Sequence, residues 1–297
     1  MSADEDFEDL ARRLAASSDH RILRRVKPRD IFSDHADAET KLGIILDTET
    51  TGLDPKTDAI IEFAALAFTF DTDGRVCQVR GRMEALADPG RPIPPEVTRL
   101  TGIADAMVAG RSIDQGAVSQ LVAPAAVVIA HNAAFDRRFV ERMNQVFTTK
   151  AWACSHSEVS WNDVGIASSK LEYLAMRYGL FHDGHRGLAD CEVLLEILAS
   201  PFPGSADTTL KVLLDTARKP TWRLWALDSP FDMKDRLKAR GYRWSDGTDG
   251  NPRAWYRDVA EEAIEEERRF LATEIYPGPC DPRCVRVTAF DRFSERV

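Results

Sequence analysis

Two acidic residues spaced two positions apart, Asp47 and Glu49, form a pair whose residue types and spacing suit metal binding or catalysis. They follow a compact apolar run, residues 42–46, that has the length of a β-strand. Side chains alternate between the two faces of a strand, so both carboxylates share one face and Thr48 points to the other. Paired carboxylates with no basic residue beside them in the sequence suit Mg²⁺ or Mn²⁺, which prefer oxygen ligands. An ordinary solvated strand end is the alternative for this pair taken alone.

A third carboxylate, Asp136, falls on the apolar face of a predicted helix. In a helix that starts at Ala133, Asp136 shares its face with residues three, four and seven positions later, which are Phe139, Val140 and Met143. Burial of an unpaired carboxylate is costly, so either a metal ion or a basic residue must compensate. The position of Asp136 just after a predicted buried strand, residues 126–130, favours the metal.

His185 and Asp190 form a further candidate pair near the carboxyl end of this region. Five residues span about 140° around a helix, so the two side chains cannot share a face if both are helical. Gly184 and Gly187 indicate instead that His185 lies in a mobile loop and that Asp190 lies in the first turns of the next helix. A lone histidine is more often structural or exposed than catalytic, so this pair alone is weak.

The elements that must position these residues follow from the apolar pattern. Strands are predicted at residues 42–46, 60–70, 75–83 and 126–130 and near Trp152, with a hairpin turn at Asp73-Gly74. Helical spacing occurs at residues 113–122, 133–144, 170–178 and 188–199. Three strands followed by alternating helices and strands predict an α/β fold, a mixed sheet flanked by helices.

Three segments of the chain together resemble the motifs of the DEDDh family of 3'-5' exonucleases, which includes proofreading domains similar to DNA polymerase III epsilon. They are Asp47-Thr-Glu-Thr-Thr-Gly52, His131-Asn-Ala-Ala-Phe-Asp136 and His185-Arg-Gly-Leu-Ala-Asp190. The resemblance covers about residues 41–200. It implies a ribonuclease H-like fold with a mixed five-stranded sheet, two divalent ions, Mg²⁺ or Mn²⁺, and release of nucleoside 5'-monophosphates from 3' ends.

The same resemblance implies a role for each matching residue. It implies that Asp47, Glu49, Asp136 and Asp190 hold the metal ions and that His185 is the general base. It also implies that the terminal nucleotide contacts Thr50, Thr51, Gly52 and Leu53, and that Asn132 supports the site. The chain departs from the pattern at Gly187, where many relatives have Ala, and we expect this to affect the loop more than the chemistry.

The chain divides by composition into three parts. Residues 1–40 read as an N-terminal appendage, an amphipathic helix followed by a basic stretch that is either a docking arm or a solvated one. Residues 41–205 form the predicted exonuclease domain, which ends in the Pro, Gly and Ser-rich segment 200–207. Residues 206–297 form a small α+β C-terminal module.

The C-terminal module is basic and aromatic within an acidic protein. From residue 210 to residue 258, eleven Lys and Arg residues stand against seven Asp residues, with six Trp and Tyr residues interleaved. Such a pattern is typical of single-strand binding through charge and base stacking, but it fits the core of a small domain equally well. Cys280 and Cys284 lack two further clear ligands, so no zinc site is predicted.

The overall composition indicates a soluble globular protein. Hydrophobic residues make up 44% and charged residues 29%, and the five cysteines are an odd number. The longest uncharged apolar run, residues 124–130, is too short to cross a membrane, and the acidic N-terminus is unlike a secretion signal. We therefore expect a cytoplasmic protein with reduced thiols. The net charge of -9 argues against non-specific coating of nucleic acid but permits a local basic groove.

These features together predict a metal-dependent 3'-5' exonuclease that acts on single-stranded or frayed 3' ends, with DNA as the favoured polymer. The alternatives are an exonuclease of RNA or short oligoribonucleotides, and a catalytically silent nucleic-acid-binding accessory protein. A polymerase or repair partner is compatible with the motifs, and the sequence leaves the oligomeric state open.

Overall fold

The computed structural model describes residues 3–33, 39–184, 186–247, 250–278 and 280–297. Its strands are β1 (Arg24–Arg25), β2 (Thr40–Thr50), β3 (Ile60–Asp71), β4 (Val76–Leu86), β5 (Val127–Ala130), β6 (Trp152–Cys154), β7 (Leu180–Phe181), β8 (Thr221–Ala226), β9 (Arg243–Trp244), β10 (Trp255–Ala260) and β11 (Arg283–Val287). Its α-helices are α1 (Ala3–Ala15), α2 (Pro95–Thr101), α3 (Asp105–Val108), α4 (Gln115–Val122), α5 (Ala133–Met143), α6 (Leu171–Arg177), α7 (Gly187–Ala199), α8 (Thr209–Ala217), α9 (Lys234–Ala239) and α10 (Ile264–Phe270). The strands and helices predicted between residues 42 and 199 are present, with bounds within a few residues.

The first sheet has five strands in the order β4-β3-β2-β5-β6. The hairpins β2-β3 and β3-β4 are antiparallel, whereas β5 and β6 run parallel to β2. Helices cover both faces, which explains why the central strands are apolar without alternation. The neighbours Ile44 and Ile45 illustrate this, because they are both fully buried yet belong to two different cores on opposite faces. The predicted mixed sheet flanked by helices is confirmed.

Helix α8 packs against the first sheet rather than with the C-terminal strands. Its apolar residues Leu210, Leu213 and Leu214 belong to the same core as Leu194 and Leu198 of α7. The Thr208 side chain caps the helix by accepting a hydrogen bond from the Lys211 backbone amide. A domain boundary at residue 205 stays a prediction, and α8 extends the packing of the first core beyond that point.

A second sheet, in the order β11-β8-β10-β9, is antiparallel throughout. Helices α9 and α10 cover it, and the core between them contains Leu224, Leu237, Val259 and Leu271. This arrangement agrees with the α+β module expected from the sequence. Strand β9 lies at the edge of the sheet and has only two residues, both exposed.

The segment after β11 returns to the first sheet. The backbone amide of Trp152 in β6 donates to the carbonyl of Ala289 at 2.8 Å. The fully buried guanidinium of Arg137 on α5 donates to the carbonyls of Phe290 and Arg292, each at 2.6 Å. A buried guanidinium is stable only when its donors are paired, so these bonds tie the end of the chain to the helix that carries Asp136.

The N-terminal segment also lies along the first domain. Strand β1 pairs in parallel with β7. The Arg29 guanidinium donates to both carboxylate oxygens of Glu196 on α7, at 2.7 and 2.8 Å. Arg24 and Arg25 pair with Glu8 and Asp183. No helix among the described residues is long and apolar enough to cross a membrane.

Candidate active site

The predicted carboxylate pair lies at the carboxyl end of β2, in the middle of the first sheet. Neighbouring strand β5 runs parallel to β2 and leads directly into α5, so the ends of the two strands meet at one edge. Helix α7 packs across β2 and β3 and brings Asp190 to the same place. One carboxylate oxygen each from Asp47, Glu49 and Asp190 lies within 4.8 Å of the others. We call these three residues the acid cluster.

Asp136 approaches the acid cluster from the other side of β2. Its carboxylate is buried, as the helical spacing predicts, and it is held by Thr48. The Thr48 backbone amide and hydroxyl both donate to Asp136 Oδ1, at 3.1 and 2.8 Å. Asp136 is not part of the three-residue group, but its charge is the second largest cause of the raised pKa of Asp47. The structure therefore brings all four predicted metal-binding carboxylates to one end of β2.

Three of the carboxylates at this edge, those of Asp47, Glu49 and Asp136, have pKa values far above their usual range. Burial is the largest cause, followed by the charges of the neighbouring acids, and the pKa of Asp47 is raised well above normal. The pKa of Glu49 and that of Asp136 are each raised to about 7, again mainly by burial. Such crowding is stable near neutral pH only with protons or cations present. All the potential metal ligands are carboxylate oxygens, which Mg²⁺ and Mn²⁺ prefer, so the residues fit divalent metal ions.

The predicted general base, His185, lies outside the described residues. Among the described residues, His182 contacts the acid cluster: its Nε2 lies 2.6 Å from Asp190 Oδ1, and its side chain is only 4% exposed. The sequence alone predicts no role for His182. The spacing of His182 and Asp190 does not predict this contact, because the two residues do not belong to the same strand or helix.

Glu62 and Gly187 show how closely α7 approaches the sheet. Glu62 is fully buried on β3 and accepts a hydrogen bond from the Gly187 backbone amide at 2.9 Å, so its role here is structural. Arg186 lies beside it, with Nε 3.5 Å from Glu62 Oε1. A Cβ at position 187 would come within 2.7 Å of Ala64 Cβ. The absence of a Cβ at Gly187 therefore allows the close packing of α7 on β3.

The residues expected to contact the nucleotide, 50–53, form a tight turn directly after Glu49. The Thr50 hydroxyl donates to the Gly52 carbonyl at 2.6 Å, and the Thr51 backbone amide donates to the Ala59 carbonyl at 2.9 Å. A Cβ at Gly52 would lie 2.4 Å from Asp58 Oδ2, so a larger residue there would displace the Asp58 carboxylate. Leu53 is 82% exposed and thus accessible to a ligand.

Asn132 occupies the junction between β5 and α5. Its backbone adopts φ of 78°, in the left-handed region that asparagine tolerates better than most residues. This conformation turns the chain sharply from the strand into the helix that carries Asp136. The supporting role that the motif implies for Asn132 stays a prediction.

The sheet order and the carboxylates at the ends of its parallel strands define a ribonuclease H-like nuclease. Residues 44–198, more than half of the chain, match the RNase T family, described as exonuclease. The chain belongs to this family and is a 3'-5' exonuclease.

Individual relatives agree with this assignment. The DNA polymerase III subunit epsilon of Treponema pallidum (strain Nichols) is 32% identical over 165 residues, which cover 52% of this chain and 73% of that protein. The DNA polymerase III subunit epsilon-like protein of Rhodobacter capsulatus is 41% identical over 113 residues, which cover 35% of this chain but only 15% of that protein.

A solved structure shows the same fold. The zinc-bound E. coli ExoI–ssDNA complex is 15% identical, with a TM-score of 0.51 over 74% of this chain and 63% of that one. At this level of identity the similarity concerns the fold alone.

Proposed function

We propose that this exonuclease hydrolyses phosphodiester bonds at the 3' ends of DNA and releases nucleoside 5'-monophosphates, with two divalent ions, Mg²⁺ or Mn²⁺. The observation that supports the proposal is the convergence of Asp47, Glu49, Asp136 and Asp190 at one end of β2, three of them with strongly raised pKa values. These four carboxylates would hold the ions.

When bound, two such ions supply the positive charge that activates a water molecule and stabilises the leaving oxygen. The chain's own residues do the remaining work. His185 accepts the proton of the attacking water, for which an ordinary pKa of about 6.5 is suited near neutral pH. Thr50, Thr51, Gly52 and Leu53 hold the terminal nucleotide, and Asn132 orients α5. Thr48 favours the ionised form of Asp136, because its hydrogen bonds to the carboxylate oppose the rise in pKa that burial causes.

The relatives' names support DNA as the polymer, since both are DNA polymerase III epsilon or similar to it. An RNA or short-oligoribonucleotide substrate would use the same catalytic residues. We further propose that the enzyme is cytoplasmic, in keeping with its free cysteines. We propose that it acts on single-stranded or frayed ends beside a repair or polymerase partner.

The experiment compares hydrolysis of matched single-stranded DNA, duplex DNA, RNA and short oligoribonucleotides with Mg²⁺, with Mn²⁺ and with EDTA, resolving product lengths. We expect mononucleotide release from single-stranded DNA with either metal and none with EDTA. Asp47→Ala and His185→Ala should abolish release without unfolding the protein, whereas Asp73→Ala, an exposed acid in the β3-β4 turn, should behave as wild type. Full activity in either of the first two variants, or faster cleavage of RNA than of DNA, would contradict the proposal.

A further inference from the structure

Trp244 is half exposed, although tryptophan usually buries most of its surface. It is 50% exposed on the edge strand β9, and it forms part of the wall of two separate cavities. The first cavity, of about 290 Å³, also contains Arg138, Arg223 and Tyr256 in its lining. The second, of about 410 Å³, is lined by Phe231, Lys234, Arg253 and Trp255 among others. We call Trp244, Phe231 and the basic residues of the two cavities the Trp244 platform.

The aromatic residues of the C-terminal module fall into two groups. Trp225 is 2% exposed and packs on Tyr256, with ring centroids 5.0 Å apart, so it belongs to the folded module. Phe231 and Trp244, by contrast, are 76% and 50% exposed. Core packing therefore explains the first group but leaves two large aromatic faces open to solvent.

Positive charge surrounds these open faces. Basic side chains of the lining are Lys56, Arg138, Arg223, Lys234 and Arg253, and the acidic side chain among the described lining residues is Asp246. Arg223 and Arg138 are also paired, with Asp258 and Glu295. Lys234 Nζ lies 4.3 Å above the ring of Phe231, and the Arg223 guanidinium lies 4.5 Å above that of Tyr256. The surface thus offers aromatic rings with cations beside them, within a protein of net charge -9.

The first cavity lies between the module and the exonuclease domain. Lys56 belongs to the turn that follows β2, the strand of Asp47 and Glu49. Arg138 lies on α5, two residues after Asp136. Of these two cations, Arg138 therefore shares a helix with Asp136, and Lys56 lies in the turn that follows the strand of Asp47 and Glu49.

We infer that the Trp244 platform binds the unpaired strand of the substrate on the 5' side of the nucleotide being removed. Bases stack on Trp244 and Phe231, and backbone phosphates contact the neighbouring Lys and Arg side chains. A single strand fits best because it presents both flat bases, which can stack on the rings, and anionic phosphates, which can pair with the cations. The inference rests on the proposed function, since the strand must lead to the acid cluster.

Affinity and turnover of the full chain test this inference. Dissociation constants for dT4 and dT16 are measured by fluorescence anisotropy in EDTA, and turnover is measured with Mn²⁺ on the p-nitrophenyl ester of thymidine 5'-monophosphate. Trp244→Ala should bind dT16 about tenfold more weakly, the typical loss for one stacked base, with dT4 binding and ester hydrolysis unchanged. Trp244→Phe should retain most of the affinity. Phe7→Ala, which removes another exposed ring on α1, is the matched control.

A second variant avoids dependence on Trp244. Lys234→Ala combined with Arg253→Ala should make dT16 binding less sensitive to salt, because the slope of log affinity against log salt falls by about one for each phosphate that is no longer neutralised. Wild-type dT16 affinity in Trp244→Ala, an unchanged salt slope, or an equal loss on dT4 and on the ester would overturn the inference. Failure of the proposed function looks different, because the wild type itself would then leave the ester intact.

Discussion

The acid cluster and the Trp244 platform are opposite in every physical property that matters for a phosphodiester substrate. The acid cluster consists of three carboxylates crowded at the end of a buried strand, and the pKa values of two of them, Asp47 and Glu49, are raised. The platform consists of exposed aromatic rings with guanidinium and ammonium groups beside them. The net charge of -9 averages over both regions and describes neither.

The two regions also differ in their support. Strand β2 is paired on both sides, with β3 and β5, so the acid cluster lies in the most constrained part of the first sheet. Strand β9 is a two-residue edge strand paired with β10. Catalysis needs groups held within a fraction of an ångström, whereas stacking on a base tolerates movement. Chemistry and strand binding are therefore separable in this protein, and mutations can test the separation.

The largest effect is expected from substitution of Asp136, and Arg138 on the same helix provides the comparison. Asp136→Asn keeps an acceptor for Thr48 but removes a charge, so we expect kcat on the nitrophenyl ester to fall on the order of 10³-fold. Its dissociation constant for dT16 in EDTA should not rise. Arg138→Ala should do the reverse, with ester turnover retained and dT16 binding several-fold weaker.

Arg142→Ala is the control for Arg138→Ala, since Arg142 pairs with the same Glu295 but is not among the residues lining the platform cavities. Similar losses of turnover and of dT16 affinity in both Asp136→Asn and Arg138→Ala would contradict the separation, because the two regions would then act as one.

A smaller effect is expected from Gly187→Ala. The added Cβ would collide with Ala64 Cβ, 2.7 Å away, and would push the first turn of α7 and with it Asp190 away from β3. We expect roughly tenfold slower turnover with unchanged dT16 affinity. The double variant Gly187→Ala with Ala64→Gly should recover most of the rate. If the double variant is no faster than Gly187→Ala alone, crowding against Ala64 is not the cause.

The smallest effect is a pH dependence of stability to which the raised pKa values of Glu49 and Asp136 contribute. Glu49 and Asp136 have pKa values raised to about 7, whereas carboxylates of the unfolded chain titrate near pH 4. Between these values the native state binds more protons, so the free energy of unfolding falls as the pH rises. In EDTA we expect the Tm at pH 8 to be a few degrees below that at pH 6.

Divalent metal should restore that loss, raising the Tm more at pH 8 than at pH 6, because metal and protons compete for the same oxygens. Asp136→Asn should flatten the dependence, and Trp244→Ala should leave it as in wild type. A Tm in EDTA that rises from pH 6 to pH 8 would be incompatible with the raised pKa values.

The sequence by itself determined the sheet and the identity of the acids. Apolar runs bounded by turn residues located the strands from residue 42 to residue 154, because each strand of a sheet covered on both faces must be apolar. Strand periodicity placed Asp47 and Glu49 on one face, and helical periodicity placed Asp136 on a buried face. These features depend on the local geometry of a strand or a helix, so the spacing of residues in the sequence is enough to predict them.

Only the tertiary structure decided which other side chains meet the acids. Thr48 points away from Asp47 and Glu49, as strand alternation requires, yet it holds Asp136 because α5 packs on that face. His182 contacts Asp190, although the eight-residue separation of the two in the sequence does not predict that they meet. Arg186, distant in sequence from the first carboxylate pair, lies close enough to lower the pKa of Glu49.

The C-terminal aromatic residues illustrate the same division. Their composition fitted a strand-binding surface and a domain core equally well, because composition does not encode exposure. Folding assigned Trp225 to the interior and Trp244 to the surface, and it set Trp244 beside residues of the exonuclease domain. Such contacts join segments more than a hundred residues apart, and only long-range packing can specify them.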